Sequence, residues 1–333
     1  MKKLFTLVLL AFAGLVLPLT AADPAAFVPD KTMLLCFMDG VRLNNLPWIK
    51  EAILKDADLS AKNKKAEALW ARFQLTDKDL CSGAIYLAFT PDENLFAYFK
   101  TNVPEAKVKP LAKAISDELL DKDQKFTAAE KVVNGKKFYI FSESGDKGDK
   151  LFALTYLASD VVMVLDADEV EKTAVGSGKN PLLAKLDRTQ LAALVYDSAA
   201  AGGKEENPEI LGGDLTLDLT GKAQKDLTIV SNLIFPDEQK AKETAQQVQL
   251  MLPGVAGMIF GKDPELAGDV MKGLQVTTPD KTKLNVRFAL SEKTLDAISK
   301  YLETPENLPD FGQKSVGGAD QGAGQGAKPN VAK

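Results

Sequence analysis

Apolar positions recur along this chain at two periods, and the changes from one to the other predict its elements. Met33–Met38 is apolar at nearly every position and reads as a central strand buried on both faces. Two helices are expected next. Pro47 opens one that gathers Ile49, Ala52 and Ile53 on a face, and Ser60 can cap another that carries Ala66, Leu69, Trp70 and Phe73. A hairpin follows, with Ile85, Leu87 and Phe89 alternating on one strand, a turn over residues 90–94, and Leu95–Lys100 returning. Pro104 and Glu105 suit a helix start, and Val108, Leu111, Ala112, Ile115 and Leu119 form its stripe. Strands are then predicted at Phe138–Ser142, Phe152–Leu157 and Val161–Leu165, with turns at Gly145–Gly148 and at Ser159 and Asp160, before Asp168 begins another helix.

From Leu186 the order begins again. Asp30, Lys31 and Thr32 precede the first strand, as Asp187, Arg188 and Thr189 precede the strand Leu191–Tyr196, and the two strands close on Asp39 and Asp197. Leu215, Leu217 and Leu219 alternate with Thr216 and Asp218 in a second hairpin, whose turn falls at Gly221–Lys225 and whose return strand Leu227–Phe235 leads through Pro236 and Asp237 into a helix. Strands around Leu274–Thr278 and Leu284–Leu290 precede a last helix capped by Ser291, with Leu295, Ile298 and Leu302 as its stripe. The plan predicts an α+β fold of two similar halves, each a largely antiparallel sheet covered on one face by helices. The boundaries are 1–22 for a leader, 23–182 for a first half with a helical insertion at 43–76, 183–303 for a second half, and 304–333 for a disordered Gly/Gln/Ala-rich tail.

The leader fixes the expected compartment. Lys2 and Lys3 precede an apolar run from Leu4 to Leu19, and Thr20, Ala21 and Ala22 offer a small-residue exit before Asp23, the pattern of a secretory signal peptide. A retained membrane anchor is the alternative, against which Pro18 and the small residues speak. A lipoprotein would need a cysteine where Asp23 stands. The protein is expected to be periplasmic or secreted, with no stable membrane span after cleavage.

Composition removes several chemistries. The formal charge of −5 falls to −7 once Lys2 and Lys3 are gone, and only Arg42, Arg72, Arg188 and Arg287 are arginines, so nucleic acid is not an expected partner. The chain has no histidine. Ser-His-Asp, Cys-His and HExxH sites are therefore excluded, while carboxylate-pair and Ser-Lys chemistry stay open in principle. Cys36 and Cys81 could form a disulfide if their strands are neighbours, and are otherwise two small buried hydrophobes without the CxxC spacing of redox enzymes.

Motif fragments fail on their surroundings. Gly176-Ser177-Gly178-Lys179 lacks the first glycine of a P-loop, and Asn180 replaces its Ser or Thr, so it reads as a glycine turn. Ser144-Gly145-Asp146-Lys147 fits SxxK but falls in a turn, where the nucleophile of that motif would open a helix. Asp166, Asp168, Glu169 and Glu171 lack the spacing of an EF-hand and suit a helix N-terminus. Gly254, Gly257 and Gly261 beside Val255, Met258, Ile259 and Phe260 read as packing, a close helix contact or an apolar ligand mouth.

From about Phe27 to Leu302 the element order and the Asp-Lys/Arg-Thr strand openings resemble exported bacterial proteins of unknown function, built from duplicated α+β halves behind a signal peptide. That resemblance implies the architecture and carries no catalytic residue. No catalytic residue, metal site or cofactor is expected from the sequence. The function expected is that of an exported non-enzymatic protein with an envelope structural or protein-interaction role. The alternatives are a carrier of an apolar ligand and a carboxylate- or lysine-dependent enzyme. Strand alternation places Asp218, Asn285 and Arg287 on the face turned away from the second half's core, and these three residues form the candidate recognition surface for an envelope partner.

Overall fold

A computed structural model of the protein describes residues 22–46, 57–92, 94–120, 125–144, 149–172, 176–201, 209–220 and 225–304. The leader up to residue 21, the expected helix at residues 47–53, the turns at 145–148 and 221–224, and the tail beyond Thr304 lie outside these residues.

Among the described residues twelve strands form one antiparallel sheet. They are β1 (Leu34–Asp39), β2 (Ala84–Phe89), β3 (Leu95–Lys100), β4 (Phe126–Val133), β5 (Lys136–Glu143), β6 (Lys150–Ala158), β7 (Val161–Leu165), β8 (Ala192–Asp197), β9 (Gly212–Thr220), β10 (Asp226–Ile234), β11 (Leu274–Asp280) and β12 (Lys283–Leu290). Their order across the sheet is β11-β12-β10-β9-β8-β1-β2-β3-β7-β6-β5-β4. The expected pair of sheets is thus a single sheet, joined where β1 lies antiparallel to β8 with Cys36 opposite Leu194. The join saturates the backbone of two apolar strands that would otherwise be exposed edges.

The α-helices of the described residues are α1 (Gly40–Asn44), α2 (Ala57–Arg72), α3 (Asp77–Leu80), α4 (Val108–Glu118), α5 (Leu182–Lys185), α6 (Glu238–Ile259), α7 (Pro264–Lys272) and α8 (Glu292–Glu303). The long helices α4 and α6–α8 lie on the same face of the sheet. On β3 to β7 this face buries Phe126, Tyr139, Phe141, Phe152 and Val162 under Val108 and Ala112 of α4. Ser116 Oγ fixes the helix to the start of β4 through Phe126 O at 2.7 Å and Phe126 N at 2.9 Å. Leu69 and Trp70 of α2 then pack on Leu111 and Ala114 at the back of α4. On β10 to β12, Phe260, Leu266 and Val270 from the α6 and α7 region meet Leu290 and Tyr301, while Ala241 and Ala245 of α6 meet Leu284.

The opposite face is closed over the first half by short elements. The 3-10 turn Pro24–Phe27, the 3-10 segment Ala167–Lys172 and α5 bring Ala25, Val28, Val170 and Leu182 onto Leu35, Tyr86, Tyr98 and Met163. The 176–180 loop clamps this N-terminal strap. Ser177 donates from its backbone and hydroxyl to Asp30, and Asn180 Nδ2 donates to Pro29 O. The P-loop-like glycines thus serve packing, since a Cβ at Gly176 would lie 1.7 Å from Val28 O.

Several expectations are corrected. Ser60 sits inside α2 and caps nothing, and Asp168 lies in a 3-10 turn where an α-helix was predicted. Strand β4 was not anticipated, because as an edge strand it is mostly exposed and shows no clean alternation. β1 is central, but its two faces are not equally sealed: Leu35 and Phe37 are buried while Cys36 is only partly buried. Cys36 and Cys81 form no bridge and are free thiols. Cys36 lies opposite Leu87, in the middle of β2, whereas Cys81 precedes that strand and puts its sulfur beside Gly40. Burial pushes both thiols up to about 11.

Candidate functional site

Across an antiparallel sheet, residues directly opposite one another share a face, so cross-strand rows can be followed from edge to edge. One row runs Thr277, Asn285, Asn232, Asp214, Val195, Leu35, Ala88 and Phe96 from β11 to β3. Its chemistry changes abruptly between β9 and β8. The part belonging to β9–β12 is entirely polar, and the part from Val195 onward is apolar and covered by the N-terminal strap. The neighbouring row repeats the change, with Gln275, Arg287, Val230 and Thr216 leading into Ala193, Phe37 and Tyr86.

The polar row is internally ordered. Asp214 ionised can only accept, so the Asn232 amide turns its nitrogen toward it, donating Nδ2 to Asp214 Oδ1 at 2.7 Å. The Asn232 carbonyl is then left to accept, and Asn285 Nδ2 donates to it at 2.7 Å. One carboxylate thus sets the direction of two amides in series. Asn285 is half-buried and Arg287, two residues farther along the same face of β12, is exposed. The α6–α8 helices pack on the other face, against Leu227, Leu284, Phe288 and Leu290.

The three residues chosen from the sequence separate here. Asn285 and Arg287 are neighbours on one strand. Asp218 lies on β9 opposite Thr228, in a further row, and its carboxylate accepts from Arg42 Nη2 at 2.6 Å. Arg42 also donates to Thr189 O at 3.2 Å, so Asp218 helps to lock α1 onto the start of β8. It is a structural partner of Arg42 and stands apart from the polar row. Sequence reasoning missed Asp214, Asn232, Gln275 and Thr277. The alternation that placed Thr216 and Asn285 also assigns these four to the open face, but only register could show that three of them align.

Asp166 caps locally by accepting from Asp168 N at 2.9 Å, and Lys150 and Lys131 pair with Asp168 and Glu171. Among the described residues no group of three or more Cys, Asp or Glu side chains could hold a metal ion. No described helix is long and apolar enough to cross a membrane. Of two shallow surface hollows, one runs along Glu238, Lys242 and Gln246 of α6 and is lined by polar side chains, and the other sets Lys65, Arg72 and Glu118 around Ala68, Leu69 and Leu119.

No protein-family model matches the chain, and no curated protein does. It is loosely similar to a solved structure, crystal form I of TP0453, at 10% identity and a TM-score of 0.38, over 85% of this chain and 98% of that one.

Proposed function

We propose that this is an exported, non-enzymatic interaction protein that binds a protein partner of the cell envelope through the open polar face of β9, β10, β12 and β11. The observation that carries the reading is the Asp214–Asn232–Asn285 relay, with Arg287 and Gln275 beside it, on a face that the helices of this half leave uncovered. Solvation alone needs polar residues on such a face but does not need them joined in a fixed direction. Arg287 supplies a planar cation with five donors, suited to a carboxylate or a backbone carbonyl of the partner.

Export rests on the charged start, the apolar run and the small-residue exit of the leader. Cleavage after Ala22 would leave Asp23, which caps the first 3-10 turn by accepting from Ala25 N and pairs with Arg188 at 3.0 Å. A repeat origin for the two halves is supported by the strand orders, since β1-β2-β3-β7-β6 and β8-β9-β10-β12-β11 follow one plan on either side of the β1–β8 pair.

A second reading, a carrier of an apolar ligand, is favoured by one observation: on the helix-bearing face the middle of the sheet presents Cys36, Leu194 and Leu215 incompletely covered. Native mass spectrometry of protein from its own cells tests both readings. A protein-bound species in the wild type that is lost in Asn285→Ala and Arg287→Ala, with folding unchanged, supports the interaction reading. A bound lipid, or a partner retained by both variants, overturns it.

A further inference from the structure

The outer surface of α6 changes character halfway along. Its first turns carry Glu238, Lys240, Lys242 and Glu243, whereas no charged residue occurs from Thr244 to Gly261. Ala241, Ala245 and Ala256 turn inward and are buried. The outward side of the second half holds Leu250 at 79% exposure, Met251 at 64%, Met258 at 66% and Val255 at 41%, which makes it the largest concentration of exposed apolar side chains among the described residues. Scattered exposed hydrophobics are ordinary, but a contiguous set on one helix face marks a contact surface.

The relief of this face is as informative as its polarity. Gln247, Leu250, Gly254 and Gly257 follow one another at intervals of three and four, the spacing of a helix–helix seam, and Gly261 comes just past the helix end. Large side chains occupy the N-terminal part of the seam and glycines the C-terminal part. A Cβ at Gly254 or Gly257 would meet nothing within 4 Å, so these steps are empty rather than filled by the protein's own packing. The local sequence is also a poor helix former, with Pro253, Gly254 and Gly257 in succession, so propensity does not explain these residues.

We infer that this face is a two-fold interface with a second copy of the chain, in which α6 packs antiparallel on its counterpart about Gly254. Antiparallel docking sets the ridge of each copy on the steps of the other: Met251 faces Gly257, Leu250 faces Met258, and Gln247 faces Gly261. The charges agree with that orientation, because Glu243 at one end of the uncharged stretch is brought toward Lys262, which follows the C-terminal end of the partner helix. Exposed apolar side chains of this number remove roughly 400–500 Å² per copy, so the pair approaches the ~1,000 Å² at which specific interfaces begin. A lipid surface fits less well, since the exposed patch carries no aromatic side chain and, of the lysines at its ends, Lys240 and Lys242 stand beside Glu238 and Glu243, leaving Lys262 at the other end.

Sedimentation equilibrium over a range of concentrations tests the inference on protein purified from its own cells. The wild type is expected to dimerise, and Met251→Glu and Met258→Glu to sediment as monomers with unchanged circular dichroism. In a Cys36→Ala, Cys81→Ala background, Gly254→Cys is expected to form a disulfide-linked dimer on oxidation, while Gln239→Cys is not. A wild type that stays monomeric at every concentration overturns the interface, whether or not it floats with phosphatidylcholine–phosphatidylglycerol vesicles; flotation would assign the face to lipid. A dimer that both glutamate variants leave intact places the contact elsewhere and overturns it equally.

Discussion

Tyr86 and Tyr98 lie directly opposite each other on β2 and β3, both fully buried, yet only one phenol has a partner. Arg188 Nη1 donates to Tyr86 Oη at 3.3 Å, whereas Tyr98 Oη makes no hydrogen bond. Burial holds both phenols above their ordinary range, so both stay protonated at neutral pH. A buried hydroxyl without a partner costs about 1–3 kcal/mol of desolvation, so removing it should help. Tyr98→Phe is expected to stabilise the protein by about 1 kcal/mol in urea unfolding and Tyr86→Phe to destabilise it by a similar amount. Equal losses from the two substitutions would contradict the assignment.

The N-terminal strap predicts a second asymmetry. Gly176 is required by close approach, because any side chain there collides with the Val28 backbone, which cannot yield as a flexible side chain would. Gly176→Ala should therefore cost about 2–4 kcal/mol, and Ser177→Ala much less, since only the hydroxyl's bonds to the exposed Asp30 are lost and the backbone bond remains. Limited proteolysis provides a second readout, with cleavage between Asp23 and Thr32 expected to accelerate in the glycine variant.

Free, buried thiols have a specific reactivity. Denatured, unreduced protein should titrate two thiols, and native protein should label slowly at pH 8 at both Cys36 and Cys81. The thiolate is the reactive form, and with both groups pushed up to about 11, native labelling should quicken as the pH is raised toward that value. Cys36, on the half-open face, should react before Cys81. Failure to find any thiol after denaturation would show that a bridge exists.

Acid should weaken the fold through its loop carboxylates. The hydroxyl and backbone of Ser177 hold the Asp30 carboxyl below its usual range, and those of Thr189 do the same for Asp187. Each group binds its proton less readily when folded than when unfolded. Its contribution is therefore complete above the unfolded value of about 3.9 and is lost as the pH falls through the lower folded value. Stability should be level between about pH 7 and 5 and fall below about 4, with a shallower fall in Asp30→Asn and Asp187→Asn. A rise in stability on acidification through that window would contradict this.

Most elements, and the faces they bury, are legible in the local pattern of residues. Alternation in Leu215, Leu217 and Leu219 and the stripe Val108, Leu111 and Ala112 record which side of each element must leave water, and Asp237 and Ser291 mark helix starts through side chains that bond backbone N–H groups at the first turn, whereas Asp39, read only as the end of a strand, also caps the unexpected α1. Even the missed β4 had a local signal. Asn134 and Gly135, with φ of 51° and 75°, form the tight turn into β5 that an Asn-Gly pair favours, while the edge position of β4 removed the alternation that would have marked the strand itself. Tertiary structure alone decided the rest. That β1 pairs with β8 to make one sheet, that Cys36 misses Cys81, that Asp218 goes to Arg42, and that Asp214, Asn232 and Asn285 align all depend on register between segments distant in sequence. Periodicity fixes the face a side chain occupies, but which strand stands beside it, and at what offset, is settled only when the whole set of apolar faces is buried together.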